Sequence, residues 1–345
     1  MQRQPRKLRT ALLLFLALNL ISVNTRYGGT GRGEGGNVTG ITVAVNDEPL
    51  PIMFSPWKPV IDETKKISSS CPDFMFYSVS VQSARAENHH FSSVASPNVT
   101  IPNCAVLLVL RTNSINKTAS DVVTKFQRSE DRYASLGWEV IATNHELPAI
   151  LARRISRLPK LNPVVFFPHT AVVLYSDMKL LSKLSPYHAD SIAQKLLAGT
   201  LFGIVQHPKS GSLEAERKAI EVAKTHRPNI LDSVELLNTQ VGLLTSVLDS
   251  NEQEAFGIEG QVHAHDLKKD GGSKLFDGIW LEEYLHGADR DQISFYAAAT
   301  RIRMKREIPH FCDKFNRSGI YRSGYDARFS FAIHCNLKSL GILKG

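Results

Sequence analysis

An aspartate at the end of an apolar run is the first residue with chemical potential. The segment VVLYSDMKLL (172–181) is apolar up to Asp177, and Lys179 follows two residues later. A carboxylate held rigidly at a strand end suits Mg²⁺ or Mn²⁺ bound to a nucleoside diphosphate. Aspartate is also a common turn residue, so a turn is the alternative interpretation. Lys179 is either a direct phosphate contact, which would weaken metal dependence, or surface charge.

A second acidic cluster lies in HGADRDQISFYAAATRIRM (286–304). Asp289 as N-cap, with Gln292 three residues later, is a variant of the capping box, and Asp291 would favour the helix dipole. The same arrangement would aim Asp291 and Gln292 out of a helix N-terminus. There they could handle a sugar hydroxyl or a catalytic proton.

Three further segments carry weaker signals. His207 follows a predicted strand, and Glu216 lies in the first turn of the next helix, where it could simply complement the dipole. His263 and His265 form a His-x-His pair on one strand face, which can bind zinc, but no third ligand has suitable spacing. Trp280 could stack on a sugar or belong to the core.

Apolar runs alternate with amphipathic segments from about residue 70 onward. AVLLVL (105–110), WEVIAT (138–143), VVLYS (172–176) and LFGIVQ (201–206) read as strands, with helical periodicity between and after them. This alternation predicts an α/β fold with a mostly parallel sheet and helices on both faces. Ligands in such sheets bind beyond the carboxyl ends of the strands.

The N-terminus indicates entry into the secretory pathway. Four basic residues (Arg3, Arg6, Lys7 and Arg9) supply half of the formal net charge of +8 and precede the apolar run Ala11–Val23. The run favours either a type II signal anchor with a luminal catalytic part or a cleaved signal peptide. We therefore expect Golgi membrane localisation facing the lumen, or secretion after cleavage.

Sequons and cysteines agree with a luminal location. The sequons are at Asn37, Asn98, Asn116 and Asn316. Closeness in sequence favours disulfides Cys71–Cys104 and Cys312–Cys335 over other pairings or free buried thiols. The predicted organisation is a tail and apolar segment (1–23), a glycine-rich flexible stem (24–70), a catalytic domain (71–310) and a C-terminal extension (311–345). Luminal placement argues against a nucleic-acid partner.

Several segments together resemble a known family over about residues 71–304. They are GWEV (137–140), RRISRLPKLNPVVFFP (153–168), VVLYSDMKLL (172–181), HPKSGSLEAE (207–216), IEGQVHAHD (258–266) and, most specifically, IWLEEYLHGADRDQISF (279–295). The chain is similar to a glycosyltransferase-like family, formerly labelled a domain of unknown function, that includes plant mucilage-related hexosyltransferases and bacterial relatives.

The resemblance implies a nucleotide-diphospho-sugar transferase fold of the GT-A type. It implies site roles for Asp177, Asp291 and Gln292, a Mn²⁺ or Mg²⁺ ion on Asp177 with His265 as a further candidate ligand, and a nucleotide-sugar donor with a glycan acceptor. The second-rank candidates are Lys160, His207, Glu216, His265 and Arg290, in addition to Lys179 and Trp280.

The expected function is hexosyl transfer to a luminal glycan or polysaccharide. Asp291 would act as catalytic base, which implies inversion, or would position a hydroxyl in a retaining route. Two alternatives are a non-catalytic glycan-binding or scaffold protein on the same fold and a ceramidase-like hydrolase.

Overall fold

The computed structural model describes residues 52–83, 101–112, 127–128, 130–143, 147, 149–183, 188–206, 213–226, 234–247, 258–287, 290–309, 319–324, 328–338 and 340–342. The strands are β1 (Phe74–Ser83), β2 (Ala105–Thr112), β3 (Glu139–Ala142), β4 (Val172–Ser176), β5 (Phe202–Gln206), β6 (Ile258–Asp266), β7 (Met304–Pro309), β8 (Gly319–Ser323) and β9 (Ser330–His334). The α-helices are α1 (Lys58–Ser70), α2 (Ala149–Ser156), α3 (Leu158–Leu161), α4 (Ala189–Leu197), α5 (Leu213–His226), α6 (Val234–Val247), α7 (Lys274–His286) and α8 (Asp291–Arg301). Short 3₁₀ helices span Ile52–Trp57, Pro163–Val165, Met178–Lys183 and Lys269–Gly271, and residues 130–135 are also helical.

The nine strands found among the described residues form one mixed sheet in the order β3-β2-β1-β4-β6-β5-β9-β8-β7. The pairings of β1 with β2 and β4, of β2 with β3, and of β5 with β9 are parallel. Strand β6 runs antiparallel to β4 and β5, and β8 runs antiparallel to β7 and β9. Seven of the nine strands therefore point one way. The predicted α/β class is confirmed.

The sheet is buried on both faces because its central strands are apolar on both sides. Tyr77, Val173 and Tyr175 belong to the core cluster formed with α1, α2, α7 and α8. Phe76 and Leu174, one position along each strand, belong to the opposite cluster with α4. This alternation is the two-residue period of a strand, and it accounts for near-continuous apolar strand sequences.

Two predicted boundaries differ from the structure. The predicted stem reaches Ser70, but Ile52–Ser70 is helical, and Phe54, Trp57 and Val60 are buried in the core. The predicted C-terminal extension contains β8 and β9, which continue the same sheet beside β5. Burial of these apolar side chains outweighs the Pro-rich local sequence that suggested a stem.

The predicted Cys71–Cys104 disulfide is confirmed, and Cys335 is disulfide-bonded. Its predicted partner Cys312 lies outside the described residues, as do all four sequons and the predicted tail, apolar segment and glycine-rich stretch. Within the described ranges, no helix combines the length and apolarity needed to cross a bilayer.

Removal of the Cys71–Cys104 disulfide is expected to destabilise the fold. The two cysteines are 33 residues apart in sequence, and closing a loop of that size is worth about 3–4 kcal/mol in the chain-entropy model. Urea unfolding of the Cys71→Ala/Cys104→Ala variant should show this loss. Both proteins are unfolded without reductant, so that the disulfide of Cys335 stays intact in each. An unchanged midpoint would contradict the expectation.

Candidate functional site

A pocket of about 370 Å³ lies beside the carboxyl end of β4. The chain runs outward from β1 through β2 to β3, and then returns to β4 on the other side of β1. The crevice between β1 and β4 is thus a topological switch point, where open α/β sheets bind ligands. Val79 of β1 and Tyr175 of β4 both line the pocket.

Six predicted site residues lie together in this pocket: Lys160, Asp177, Lys179, Arg290, Asp291 and Gln292. Asp177 follows β4 and Asp291 begins α8, so two acids 114 positions apart in sequence line one cavity. Arg153, Arg157 and Gln261 join them. His207 lies outside the described residues.

The Asp177 carboxylate at the end of β4 is partly exposed to solvent. Its Oδ1 accepts a 2.6 Å hydrogen bond from the Tyr175 hydroxyl, and its Oδ2 lies 3.5 Å from Lys179 Nζ. Its side chain is 29% exposed, so ligand can reach it. Burial raises the pKa of Tyr175, and the Asp177 charge adds to this effect. The phenol therefore stays protonated and donates to Asp177 at neutral pH.

Asp291 is a buried carboxylate held by two cations. Lys160 Nζ bonds its Oδ2, and Arg157 Nε lies 3.6 Å from its Oδ1. Burial alone would raise the pKa of this carboxyl, but the charges of Lys160 and Arg157 and the hydrogen bond from Lys160 lower it well below its usual range. A carboxylate with such a low pKa is a weak base. The geometry therefore favours hydroxyl binding by Asp291 over proton abstraction.

Gln292 does not form the predicted capping box. Helix α8 begins at Asp291, and its N-cap Arg290 makes no side-chain cap hydrogen bond. Because the helix begins later than predicted, Gln292 is its second residue and is too close to the N-terminus to complete the box. Gln292 Oε1 and Asp291 Oδ1 are buried and accept no hydrogen bond from any described residue. Buried acceptors without hydrogen bonds are costly, so Gln292 Oε1, and Asp291 Oδ1 beside Arg157, suit a ligand that donates hydrogen bonds.

Gly260 of β6 leaves the space that the Lys160–Asp291 pair occupies. A Cβ at this position would lie 2.7 Å from Asp291 Oδ2 and still closer to the Lys160 ammonium. From the sequence, the segment IEGQ (258–261) contributed only to the family resemblance. A glycine suits this position because the Lys160–Asp291 pair approaches the backbone so closely.

Gly260→Ala is expected to displace the Lys160–Asp291 pair and lower the free energy of unfolding by about 1–3 kcal/mol, as overpacking does. The measurement is the urea midpoint. Gly278→Ala in α7 is the matched control, since an added Cβ there meets no atom within 4 Å. This control is expected to be neutral or slightly stabilising. Equal effects of the two substitutions would contradict the role of Gly260.

Helices α2 and α3 and the residue between them carry three of the five basic residues described in the pocket. Arg153, Arg157 and Lys160 are spaced at i, i+4 and i+7, which places them on one side of a helical path. Arg153 and Arg157 were not predicted as site residues, although this spacing was visible in the sequence. Tyr175 was missed too, although a residue two positions before Asp177 lies on the same strand face.

Hydrogen bonds from two core residues, and from Arg154 of α2 itself, fix these short helices. The Trp57 indole donates to the Ile155 carbonyl at 2.9 Å, and the Tyr77 hydroxyl donates to the Pro159 carbonyl at 3.1 Å. The Arg154 guanidinium donates to carbonyls at the end of α7, at 2.7 Å for Leu285. These bonds satisfy helix-terminal carbonyls and turn the neighbouring Arg153 and Arg157 toward the pocket.

Two predicted site residues, Trp280 and Glu216, lie behind the pocket. Trp280 is fully buried, and its indole donates to the Asp291 carbonyl and to Ser294 Oγ, both at 3.1 Å. It positions the start of α8 and does not offer a face to a sugar. Glu216 is fully buried and pairs with Arg290, which donates from Nε at 2.9 Å. Glu216 therefore orients Arg290.

The two histidines of β6 form a buried polar chain. His265 Nδ1 lies 2.9 Å from Asp277 Oδ1, and His265 Nε2 lies 2.8 Å from His263 Nδ1. Burial lowers the pKa of His263, so it is neutral. The predicted single-face placement of the pair is present, but both ring nitrogens of His265 have protein partners in the core.

The described residues do not fit a divalent cation well. Among them, no group of three or more His, Cys, Asp or Glu side chains could hold a metal ion. Asp177 offers a single carboxylate, and its oxygens already face Tyr175 and Lys179. Mg²⁺ and Mn²⁺ prefer several oxygen ligands.

No protein-family model matches the chain, and no curated protein matches it significantly.

The arrangement can bind an anion and hydroxyl groups side by side. Five basic residues and two acidic residues line the pocket, so its charge favours an anion. Gln292 Oε1, which has no hydrogen-bond partner among the described residues, can accept a hydrogen bond. The partly exposed Asp177 carboxylate and Asp291 Oδ1, which lies 3.6 Å from Arg157 Nε, can accept others. A phosphorylated sugar combines both properties.

Proposed function

We propose that this protein is a hexosyltransferase of the GT-A type that moves a sugar from a nucleoside-diphosphate donor to a glycan or polysaccharide acceptor. The observation that carries the proposal is the convergence of Asp177 and Asp291 on one basic pocket at the switch point between β1 and β4. The resemblance of several segments to the glycosyltransferase-like family supports the same class.

We assign each side chain of the pocket a role on the basis of its position and contacts. The basic side chains hold the donor diphosphate. Gln292 accepts a hydrogen bond from a sugar hydroxyl, because its Oε1 is buried and unpartnered among the described residues, and Asp291 Oδ1, 3.6 Å from Arg157 Nε, accepts another. Asp177 is the more exposed acid, and it accepts the hydrogen bond, and in transfer the proton, of the attacking acceptor hydroxyl. Tyr175 orients its carboxylate.

We further propose that transfer takes place in the Golgi lumen, with the chain anchored as a type II membrane protein. The Cys71–Cys104 disulfide supports an oxidising compartment. The basic flank ahead of Ala11–Val23 supports the orientation.

The test is sugar transfer by the purified full-length chain. Radiolabelled UDP- and GDP-hexoses are incubated with plant and microbial polysaccharides, and label in polymer and released nucleotide are both measured. Acceptor-dependent release is the expected result. Nucleotide-sugar binding without any turnover would instead favour a glycan-binding scaffold, and cleavage of labelled ceramide would favour a hydrolase.

A further inference from the structure

We infer that the pocket binds the diphosphate of its ligand directly through basic side chains and needs no divalent cation to do so. The inference deepens the proposed function and rests on it for the identity of the ligand as a nucleotide sugar. Its physical basis is the charge balance and the ligand geometry of the pocket.

The charge balance of the pocket already matches a diphosphate. Five basic side chains line it, against Asp177 and Asp291, and Glu216 pairs with Arg290 from behind. Counted over the described residues alone, five positive and three negative charges leave a net charge of +2. The diphosphate of a nucleotide sugar carries about two negative charges, one for each phosphate. A divalent cation would add charge to a site that is already positive.

The acidic groups are poorly arranged for a metal ion. Asp291 is occupied by Lys160 and Arg157. The Asp177 carboxylate accepts from Tyr175 on one oxygen and faces an ammonium 3.5 Å from the other. A cation bound at Asp177 would sit beside Lys179 and be repelled by it.

Lys179 is placed to contact phosphate directly. It lies in the 3₁₀ helix Met178–Lys183 directly after β4, and its side chain is 55% exposed. Its ammonium can therefore leave Asp177 and bond a phosphate oxygen. The more buried Arg157, whose side chain is 19% exposed, supplies a fixed donor in the same pocket.

The experiment is calorimetric titration of the full-length chain with inorganic pyrophosphate, in EDTA and separately in MnCl₂. We expect pyrophosphate to bind in EDTA at least as tightly as in MnCl₂, with an affinity that falls as NaCl is raised. Lys179→Met should weaken binding in EDTA about tenfold, the effect of losing one charged hydrogen bond. Lys218→Met, an exposed lysine of α5 outside the pocket, is the matched control and should bind as wild type does.

Two results would overturn the inference. Binding that requires MnCl₂ would show that a metal neutralises the diphosphate, and the proposed transferase would still stand. Absence of binding in both solutions would show that the basic cluster is not a diphosphate site. The sugar-transfer assay, run separately in EDTA and in MnCl₂, then decides the proposed function by itself.

Discussion

Asp291→Asn is expected to lower sugar transfer at least about a hundredfold and to destabilise the fold by about 3 kcal/mol. The substitution leaves the buried Lys160 ammonium without its carboxylate, and breaking one side of a buried ion pair costs about 3–5 kcal/mol. Asparagine can retain part of the hydrogen bonding, which places the expected cost at the lower end. The transfer loss follows because Lys160 and Gln292 would shift, and a displacement of about 1 Å in a site can cost about a hundredfold in rate.

Asp277→Asn is the matched control for this substitution. Asp277 is equally buried and bonds His265 and Ser273, but it does not line the pocket. It should lower the urea midpoint and leave pyrophosphate affinity and transfer by the folded fraction close to wild type. Wild-type transfer by folded Asp291→Asn protein would remove Asp291 from the site.

The Asp291 ion pair also predicts how stability depends on pH. The folded pKa of Asp291 lies below the unfolded value of about 3.9. The pair therefore contributes its full stability above about pH 4 and loses it as the pH falls further. Between pH 6 and pH 3, the urea midpoint of wild type should fall more steeply than that of Asp291→Asn. Parallel curves would contradict the lowered pKa.

The site was predictable to the extent that its residues lie at the ends of regular elements. Asp177 could be found because an apolar strand stops there, and Asp291 because a helix starts near it. That the two acids meet depends on strand order, in which β4 returns beside β1 and β6 crosses antiparallel next to β4. A short apolar sequence does not indicate the direction of its strand, since both orientations bury the same side chains.

The basic residues show a different limit of sequence reasoning. Arg153, Arg154 and Arg157 lie in the same short basic segment, but only Arg153 and Arg157 line the pocket. Arg154 instead bonds the end of α7, and only packing distinguishes their roles. For Trp280 the sequence left open a stacking contact with a sugar and a place in the core, and the residue is a buried donor to the Asp291 carbonyl. The residue types predicted a polar site near the start of α8. Which atoms face the ligand depends on the tertiary contacts.

Asp177→Ala is expected to lower transfer at least about a hundredfold while pyrophosphate affinity in EDTA stays equal or becomes tighter. The first effect follows from loss of the carboxylate that accepts the acceptor proton, since general-base catalysis contributes about 10²–10⁴-fold. The second follows from charge: removal of an anion 3.5 Å from Lys179 frees that ammonium for phosphate. A metal-binding Asp177 would give the opposite second result, with pyrophosphate affinity in MnCl₂ collapsing in the variant.

Tyr175→Phe distinguishes the contribution of the Asp177 carboxylate to transfer from the contribution of its orientation. The variant removes the 2.6 Å hydrogen bond to Asp177 Oδ1 and keeps the acid in place. Transfer should fall by about tenfold, less than in Asp177→Ala, because the carboxylate can still accept a proton but is no longer held in one orientation. Steady-state transfer rates and pyrophosphate calorimetry on both variants form one data set. A larger loss in Tyr175→Phe than in Asp177→Ala would assign the proton chemistry to the phenol and not to the carboxylate.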